Sequence, residues 1–118
     1  MRNFKKLEVW KDSRILAKEI YLLSANLPDS EKFGLTSQIR RCAISIPSNI
    51  AEGSAKESTT DFRRFLQISL GSSIELECQL IICQDLNLLN IEDVNSFLLQ
   101  LNILQRKISS FITYLNKQ

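Results

Sequence analysis

The charged and nucleophilic side chains of this sequence lack the combinations that catalysis requires. The chain contains no histidine, which removes the commonest general base and metal ligand. A serine or cysteine nucleophile would need a carboxylate or a lysine as its base, and no motif sets up such a pair. Glu75 and Glu77 lie about 200° apart on a helix, so one chain cannot direct both at one site. We therefore expect a non-enzymatic protein with no cofactor and no metal site.

Basic residues are the remaining candidates for binding chemistry. The net charge is only +2, but the first 64 residues hold twelve of the fifteen Lys and Arg against eight acids. The rest of the chain holds three bases against five acids. This distribution favours a nucleic-acid surface made of Lys5, Lys6, Lys11, Arg14, Lys18, Lys56, Arg63 and Arg64.

Two features of that basic set affect its interpretation. On the first predicted helix the bases lie on one edge and the acids Glu8, Asp12 and Glu19 on the other. This arrangement fits either a solvated surface or a head-to-tail interface between subunits. Lys56, Arg63 and Arg64 lie near the start of the third predicted helix, where free backbone amides also suit phosphate. With no exposed aromatic cluster expected beside these bases, the prediction is salt-dependent binding without base stacking.

A polar stripe on the second predicted helix is the sharpest local feature. Its members recur at spacings of three and four, so they share one face: Gln38, Arg41, Ser45, Asn49 and Glu52. The stripe is consistent with a solvated face, with a ligand site, or with a buried or interfacial network. In the network, Arg41 would meet a carboxylate of the third helix such as Glu75.

Periodic apolar residues predict four helices in one domain of 118 residues, preceded by an arm over residues 1–7. Helix one covers residues 8 to about 25. Helix two begins near Ser30 or Thr36 and closes at Gly53, a suitable residue for a left-handed cap. Ser58 or Thr59 caps helix three, which ends near residue 86, and Asn90 caps helix four.

Together these elements predict an all-α, antiparallel, up-and-down four-helix bundle. Pro47 is expected to kink a continuous helix two, and the small residues around Gly71 to admit the backbone of that helix. Cys42, Cys78 and Cys83 are expected to be small core residues in a reducing cytoplasm. A single bundle has difficulty burying the apolar side chains of Ile15, Leu22 and a set of residues on helix four. Because an exposed apolar patch usually marks an interface, we expect a homo-oligomer. The helix-four set comprises Phe97, Ile103, Leu104, Phe111 and Ile112.

Several segments resemble a known family when they are taken in order. They are VW at 9–10, LP at 27–28 followed by Glu31, FGL at 33–35, QIRR at 38–41, SIPSNIAEG at 45–53, DFRRFL at 61–66 and GSSIELE at 71–77. The sequence resembles the bacterial four-helix-bundle proteins encoded in intervening sequences of large-subunit ribosomal RNA genes. A related branch is the accessory variability determinant of diversity-generating retroelements.

The resemblance implies a cytoplasmic bundle that closes into a ring, with five subunits, and it implies no enzymatic activity. For the related branch, the resemblance implies a ring-shaped protein that binds nucleic acid and a reverse transcriptase. Two function classes follow. One is a ring that binds RNA or another nucleic acid, and the other is a scaffold whose partner is a protein. The polar residues that interrupt the apolar run at 76–89 lead us to expect no membrane partner.

Overall fold

The structure is a computed structural model that describes residues 2–118, and it is a four-helix bundle measuring 45 × 23 × 19 Å. After a short 3-10 turn at Phe4–Lys6, α1 covers Glu8–Ser24 and α2 covers Leu35–Ser54, with a second 3-10 turn at Asp29–Glu31 between them. Helix α3 covers Thr59–Asp85 and α4 covers Ile91–Asn116. Residues 2–118 contain no strand, which confirms the all-α prediction.

Side-chain caps begin two of the helices as predicted. The Ser58 hydroxyl accepts a hydrogen bond from the Asp61 backbone N–H (3.0 Å), and the Asn90 side chain accepts one from the Asp93 N–H (2.8 Å). Helix α2 begins at Leu35, in agreement with the predicted start near Thr36, but its N-cap residue Gly34 provides no side-chain cap. There the Glu31 carboxylate accepts the Leu35 N–H at 3.2 Å, so an acid from the preceding turn satisfies a free amide of the helix start.

The predicted apolar stripes form the core. On α1 the stripe of Val9, Ser13, Leu16, Ile20 and Leu23 is buried. The α2 stripe from Ile39 to Ile50 is buried as well, and its burial continues past Pro47. Helix α2 is continuous across Pro47, as predicted. The bend at Pro47 and the antiparallel order of the helices stay predictions.

The roles expected for two glycines were wrong. Gly53 lies inside α2 and has no left-handed backbone, because the helix continues to Ser54. A Cβ at Gly53 would lie 2.6 Å from the Cβ of Phe65, so this glycine lets α2 and α3 approach closely. Gly71 is exposed, and a Cβ there would meet nothing within 4 Å. The close contact therefore occurs at Gly53, and a side chain added at Gly71 would meet open space.

Serines on α3 nevertheless face α2 near Pro47. The buried Ser69 hydroxyl donates to the Ile46 carbonyl at 2.9 Å, and the hydroxyls of Ser45 and Ser72 lie 2.8 Å apart. Such small side chains permit extensive packing, and α2 with α3 is the most extensive helix pair of the bundle. Among neighbouring helices the α1–α4 pair has the least backbone contact, and the backbones of the diagonal pair α1 and α3 do not approach closely.

One cysteine departs from the core prediction. Cys42 and Cys83 are buried, but Cys78 is exposed on the outer face of α3. Among the helices of residues 2–118, α3 alone is long and apolar enough to cross a membrane by length and composition. Core helices of soluble proteins meet the same criterion.

Candidate nucleic-acid interface

Three predicted bases form one edge of α1, which we call the α1 basic edge: Lys11, Arg14 and Lys18. All three are exposed, and none forms an ion pair with another side chain of residues 2–118. Lys5 joins this edge, because it borders a groove together with Phe4, Lys11 and Arg14. Lys6 is exposed in the preceding 3-10 turn.

Two of the three acids on the acidic edge of α1, Glu8 and Asp12, are paired within the chain, and no ion pair holds Glu19 among residues 2–118. Lys107 of α4 donates to Glu8 at 2.8 Å and to Asp12 at 2.9 Å. These hydrogen bonds raise the pKa of Lys107 above its ordinary value, and the bond to Glu8 has the larger effect, followed by the bond to Asp12. Both acids therefore already have a partner, which disfavours the head-to-tail pairing of acidic and basic edges. The α1 basic edge therefore has no ion-pair partner among residues 2–118.

A second group of bases lies near the start of α3, and we call it the α3 basic group. It consists of Lys56, Arg63 and Arg64. The Lys56 ammonium lies 5.1 Å from the Phe65 ring centre and the Arg64 guanidinium lies 5.2 Å from it. Arg64 also pairs loosely with Asp61 at 3.7 Å. Arg63 donates to Asn116 and Thr60, so it is the member most occupied by neighbours.

The N-terminal segment connects the two basic groups. Arg2, which was not among the predicted bases, donates to the Lys56 carbonyl at 2.9 Å, and its guanidinium lies 4.6 Å from the Phe62 ring centre. Two residues later, Phe4 packs edge-on against Trp10 with ring centres 4.9 Å apart. The segment thus runs from the α3 basic group to the α1 basic edge, and it adds one more cation between them.

The polar stripe of α2 divides into two small clusters. Arg41 donates to Gln38 at 2.7 Å and forms no ion pair with Glu75 in the described chain, contrary to the expected network. Asn49 donates to the Ser45 carbonyl and hydroxyl, at 2.8 and 2.9 Å. Glu52 is exposed, and Glu75 accepts a long bond of 3.4 Å from Gln79. The stripe is therefore partly solvated and partly bonded across α2 and α3.

Aromatic residues beside the bases are the feature that the sequence reasoning missed. Arg14 lies over the Trp10 ring at 5.3 Å, and Arg40 lies over the Tyr21 ring at 4.7 Å. Arg40 is held there by hydrogen bonds to Ser24 and to the Tyr21 carbonyl. Tyr21 is 41% exposed, whereas Trp10 is half-buried and lies three turns of α1 away from it. These contacts between guanidinium groups and single rings were not predicted.

Two exposed apolar surfaces lie elsewhere on the bundle. The α1–α4 groove, of about 240 Å³, has Ile15 and Ile103 on its walls, and both are more than half exposed. Leu22, two turns after Ile15 on α1, and Leu99, one turn before Ile103 on α4, are exposed as well. The prediction was wrong for Phe97 and Leu104, which are buried in the core. On α3, an apolar stripe that was not predicted consists of Ile68, Ile74, Ile81 and Ile82, with Gly71 among them.

No metal site is present in the part of the chain that the structure describes, because no three metal-ligating side chains are grouped there. The chemistry available at this surface is therefore that of cations, aromatic rings and apolar side chains. It suits the binding of an anionic polymer or of another protein surface.

Comparison with known proteins gives a consistent result. The model of the family described as 23S rRNA-intervening sequence protein matches residues 5–110. Among solved structures, the chain is similar to a protein with unknown function from the S23 ribosomal protein family of Bacteroides thetaiotaomicron. The two are 28% identical, and the match covers 88% of this chain and 97% of that chain with a TM-score of 0.82. No curated protein matches the sequence.

Proposed function

Because this chain belongs to the 23S rRNA-intervening sequence protein family, we propose that it is a non-enzymatic helical bundle that forms a ring and binds RNA or another nucleic acid. The bases of α1 and of the start of α3 would hold the phosphates. The observation that carries the RNA proposal is the exposed α1 basic edge, whose Lys11, Arg14 and Lys18 form no ion pair with another side chain of residues 2–118. A ring would repeat this edge, and repetition converts a weak local site into avidity.

The ring is supported by the two apolar surfaces. An exposed apolar stripe usually marks a contact surface, and Ile68 and Ile74 of α3 are about half exposed. The α1–α4 groove is a different surface, since no residue of α3 lines it. An α3 stripe that enters the α1–α4 groove of a second copy makes a heterologous contact, and such contacts close into rings when the rotation permits. The number five comes from the family resemblance.

Assembly is tested by light scattering at micromolar concentration. The wild-type chain is expected at five times its mass of 13.6 kDa, and Ile74→Glu at the mass of one chain with unchanged helical circular dichroism. Ser37→Glu, an exposed site on α2, is the matched control and should keep the wild-type mass. A wild-type protein of monomer mass would overturn the ring. Flotation of the wild type with phosphatidylcholine vesicles, lost in Ile74→Glu, would instead assign the stripe to a lipid surface.

RNA binding is tested by fluorescence anisotropy with a labelled oligonucleotide at about 50 and 200 mM salt. We expect affinity to fall steeply with salt, because binding releases counterions from the phosphates. The triple variant Lys11→Glu, Arg14→Glu, Lys18→Glu should weaken binding and reduce the salt slope by about one for each lost phosphate contact. Lys56→Glu, Arg63→Glu, Arg64→Glu should act in the same direction, with Arg63 contributing least.

The control for charge is Lys32→Glu with Arg106→Glu, which lies outside both basic groups and should leave affinity nearly unchanged. If wild-type protein binds no RNA at low salt, the second function class replaces the first. That class is a scaffold for a protein partner, and the same exposed apolar surfaces favour it. Pull-down of a defined partner that is lost in Ile74→Glu or Ile103→Glu would then identify its contact surface.

A further inference from the structure

The groove between α1 and α2 has a composition distinct from the other surface depressions. It has a volume of about 440 Å³ and is bordered by Trp10, Arg14, Lys18 and Tyr21 from α1. Its other wall, from α2, is made of small or apolar side chains that include Ile44 and Pro47. Among residues 2–118, no Asp or Glu borders this groove, whereas Asp12 borders the α1–α4 groove.

The groove continues past Trp10 into a second depression. Trp10 and Arg14 border both, and the second one adds Phe4, Lys5 and Lys11. The three cations of the α1 basic edge thus lie between the rings of Trp10 and Tyr21 along α1. From Trp10 to Tyr21 is eleven residues, or about 16 Å of helix. A stacked strand rises about 3.4 Å per nucleotide, so this length matches about four or five nucleotides.

Each of the two rings in this groove carries a guanidinium on one face. Arg14 lies 5.3 Å from the centre of Trp10 and is itself exposed, so it can move aside from the ring. Arg40 lies 4.7 Å from the centre of Tyr21 and donates to Ser24, so a base that stacks on Tyr21 must displace Arg40 or use the other face of the ring. A flat, weakly hydrated cation on an aromatic face occupies the position that a nucleobase takes when it stacks.

From this arrangement we infer that the α1–α2 groove binds single-stranded nucleic acid by stacking unpaired bases on Trp10 and Tyr21, while Arg14 and Lys18 contact its phosphates. A combination of cations with aromatic faces is how proteins hold single strands without reading sequence. A duplex keeps its base faces covered, so it can use the cations but not the rings. The inference rests on the RNA binding proposed above, and it adds the form of nucleic acid and the groove that takes it.

Trp10 provides the test, because it is the only tryptophan in the chain. Titration with a single-stranded octanucleotide RNA is expected to quench Trp10 fluorescence and to protect it from iodide. The same length of RNA duplex should bind more weakly and cause little quenching. Tyr21→Leu should weaken single-strand binding by about 5- to 150-fold, the range that stacking of one base contributes. Phe33→Leu, at a ring that is 91% exposed outside the groove, is the control and should change nothing.

The outcomes separate this inference from RNA binding itself. If anisotropy shows binding while Trp10 fluorescence and the affinity of Tyr21→Leu stay unchanged, the groove inference is overturned and the proposed function stands. Equal binding of duplex and single strand, equally sensitive to salt, also overturns it. If no RNA binds at low salt, both the inference and the RNA proposal fail. Because Trp10 packs partly against the core, Trp10→Phe serves as the conservative second variant, and it should retain most of the affinity.

Discussion

The α2–α3 seam and the α1–α4 seam are built from opposite kinds of residues. Across the first, Gly53 and a row of serines let two helices approach until a single added methyl group would collide. Across the second, Ile15 and Ile103 stay exposed, and Lys107 connects the helices through Glu8 and Asp12. Small residues allow one chain to complete its own packing. Bulky apolar residues at an open seam leave surface that only another molecule can cover.

The most direct test of the α2–α3 seam, which we call the tight seam, is Gly53→Ala. Its new Cβ would lie 2.6 Å from the Cβ of Phe65, so the helices must separate. We expect a loss of about 2–3 kcal/mol in the free energy of unfolding, which is typical of overpacking. Urea denaturation measures it. Gly71→Ala is the matched control, and it should gain up to about 1 kcal/mol through helix propensity. Equal stability of the two variants would contradict the assignment of close contact to Gly53.

A smaller effect is expected from Ser69→Ala at the same seam. The Ser69 hydroxyl is fully buried and donates to the carbonyl of Ile46, just before Pro47. Its removal should cost about 1 kcal/mol, the usual net contribution of one hydrogen bond. Ser37→Ala, on the exposed side of α2, is the control and should have no measurable cost. A neutral Ser69→Ala would mean that the serine matters for its size alone.

The open seam should respond differently from the tight one. Ile103→Ala removes an exposed side chain, so the stability of a single bundle should change by no more than about 0.5 kcal/mol. Its effect should appear instead in assembly, as a lower mass by light scattering at a fixed protein concentration. If Ile103→Ala destabilises dilute protein as much as Gly53→Ala does, the seam belongs to the core of the single chain and the contrast between the seams is lost.

The contrast also explains which features the sequence could predict. Stripes such as Val9 to Leu23, and the caps Ser58 and Asn90, depend on spacing within one helix, so they were predicted correctly. The roles of Gly53 and Gly71 depend on which residue lies opposite on another helix, and spacing does not contain that information. For the same reason the pairing of Lys107 with Glu8 and Asp12, separated by more than ninety positions, was missed.

The candidate site shows the same division. Composition located the bases, because charge is evident from residue types. It did not reveal the aromatic faces beside them, because rings such as Trp10 and Tyr21 lie at the border of an apolar stripe and are partly buried. Whether such a ring belongs to the core or to a binding surface depends on the few ångströms that separate α1 from α2. The cysteines present the same difficulty, since Cys78 lies close in sequence to buried residues of α3.

The last and smallest effect concerns those thiols and leaves the fold unchanged. Cys42 lies at the tight seam near Glu75, whereas Cys78 lies on the outside of α3. Burial, and then the charge of Glu75, raise the pKa of Cys42 from 9.0 to about 11. Because the folded state disfavours the thiolate, Cys42 adds no pH dependence below pH 9 and lowers stability as pH rises from 9 towards 11. The proposed ring contact would cover Cys78 together with the α3 stripe, so the test uses the folded single chain of Ile74→Glu. The thiolate is the reactive form, so at pH 8 this folded chain should react with a thiol reagent at Cys78 alone. Cys42 and Cys83 should react only after urea unfolding, and Cys78→Ser should abolish native labelling. Fast labelling of Cys42 in folded protein would show that the α2–α3 seam opens readily, and it would remove the distinction between the two seams.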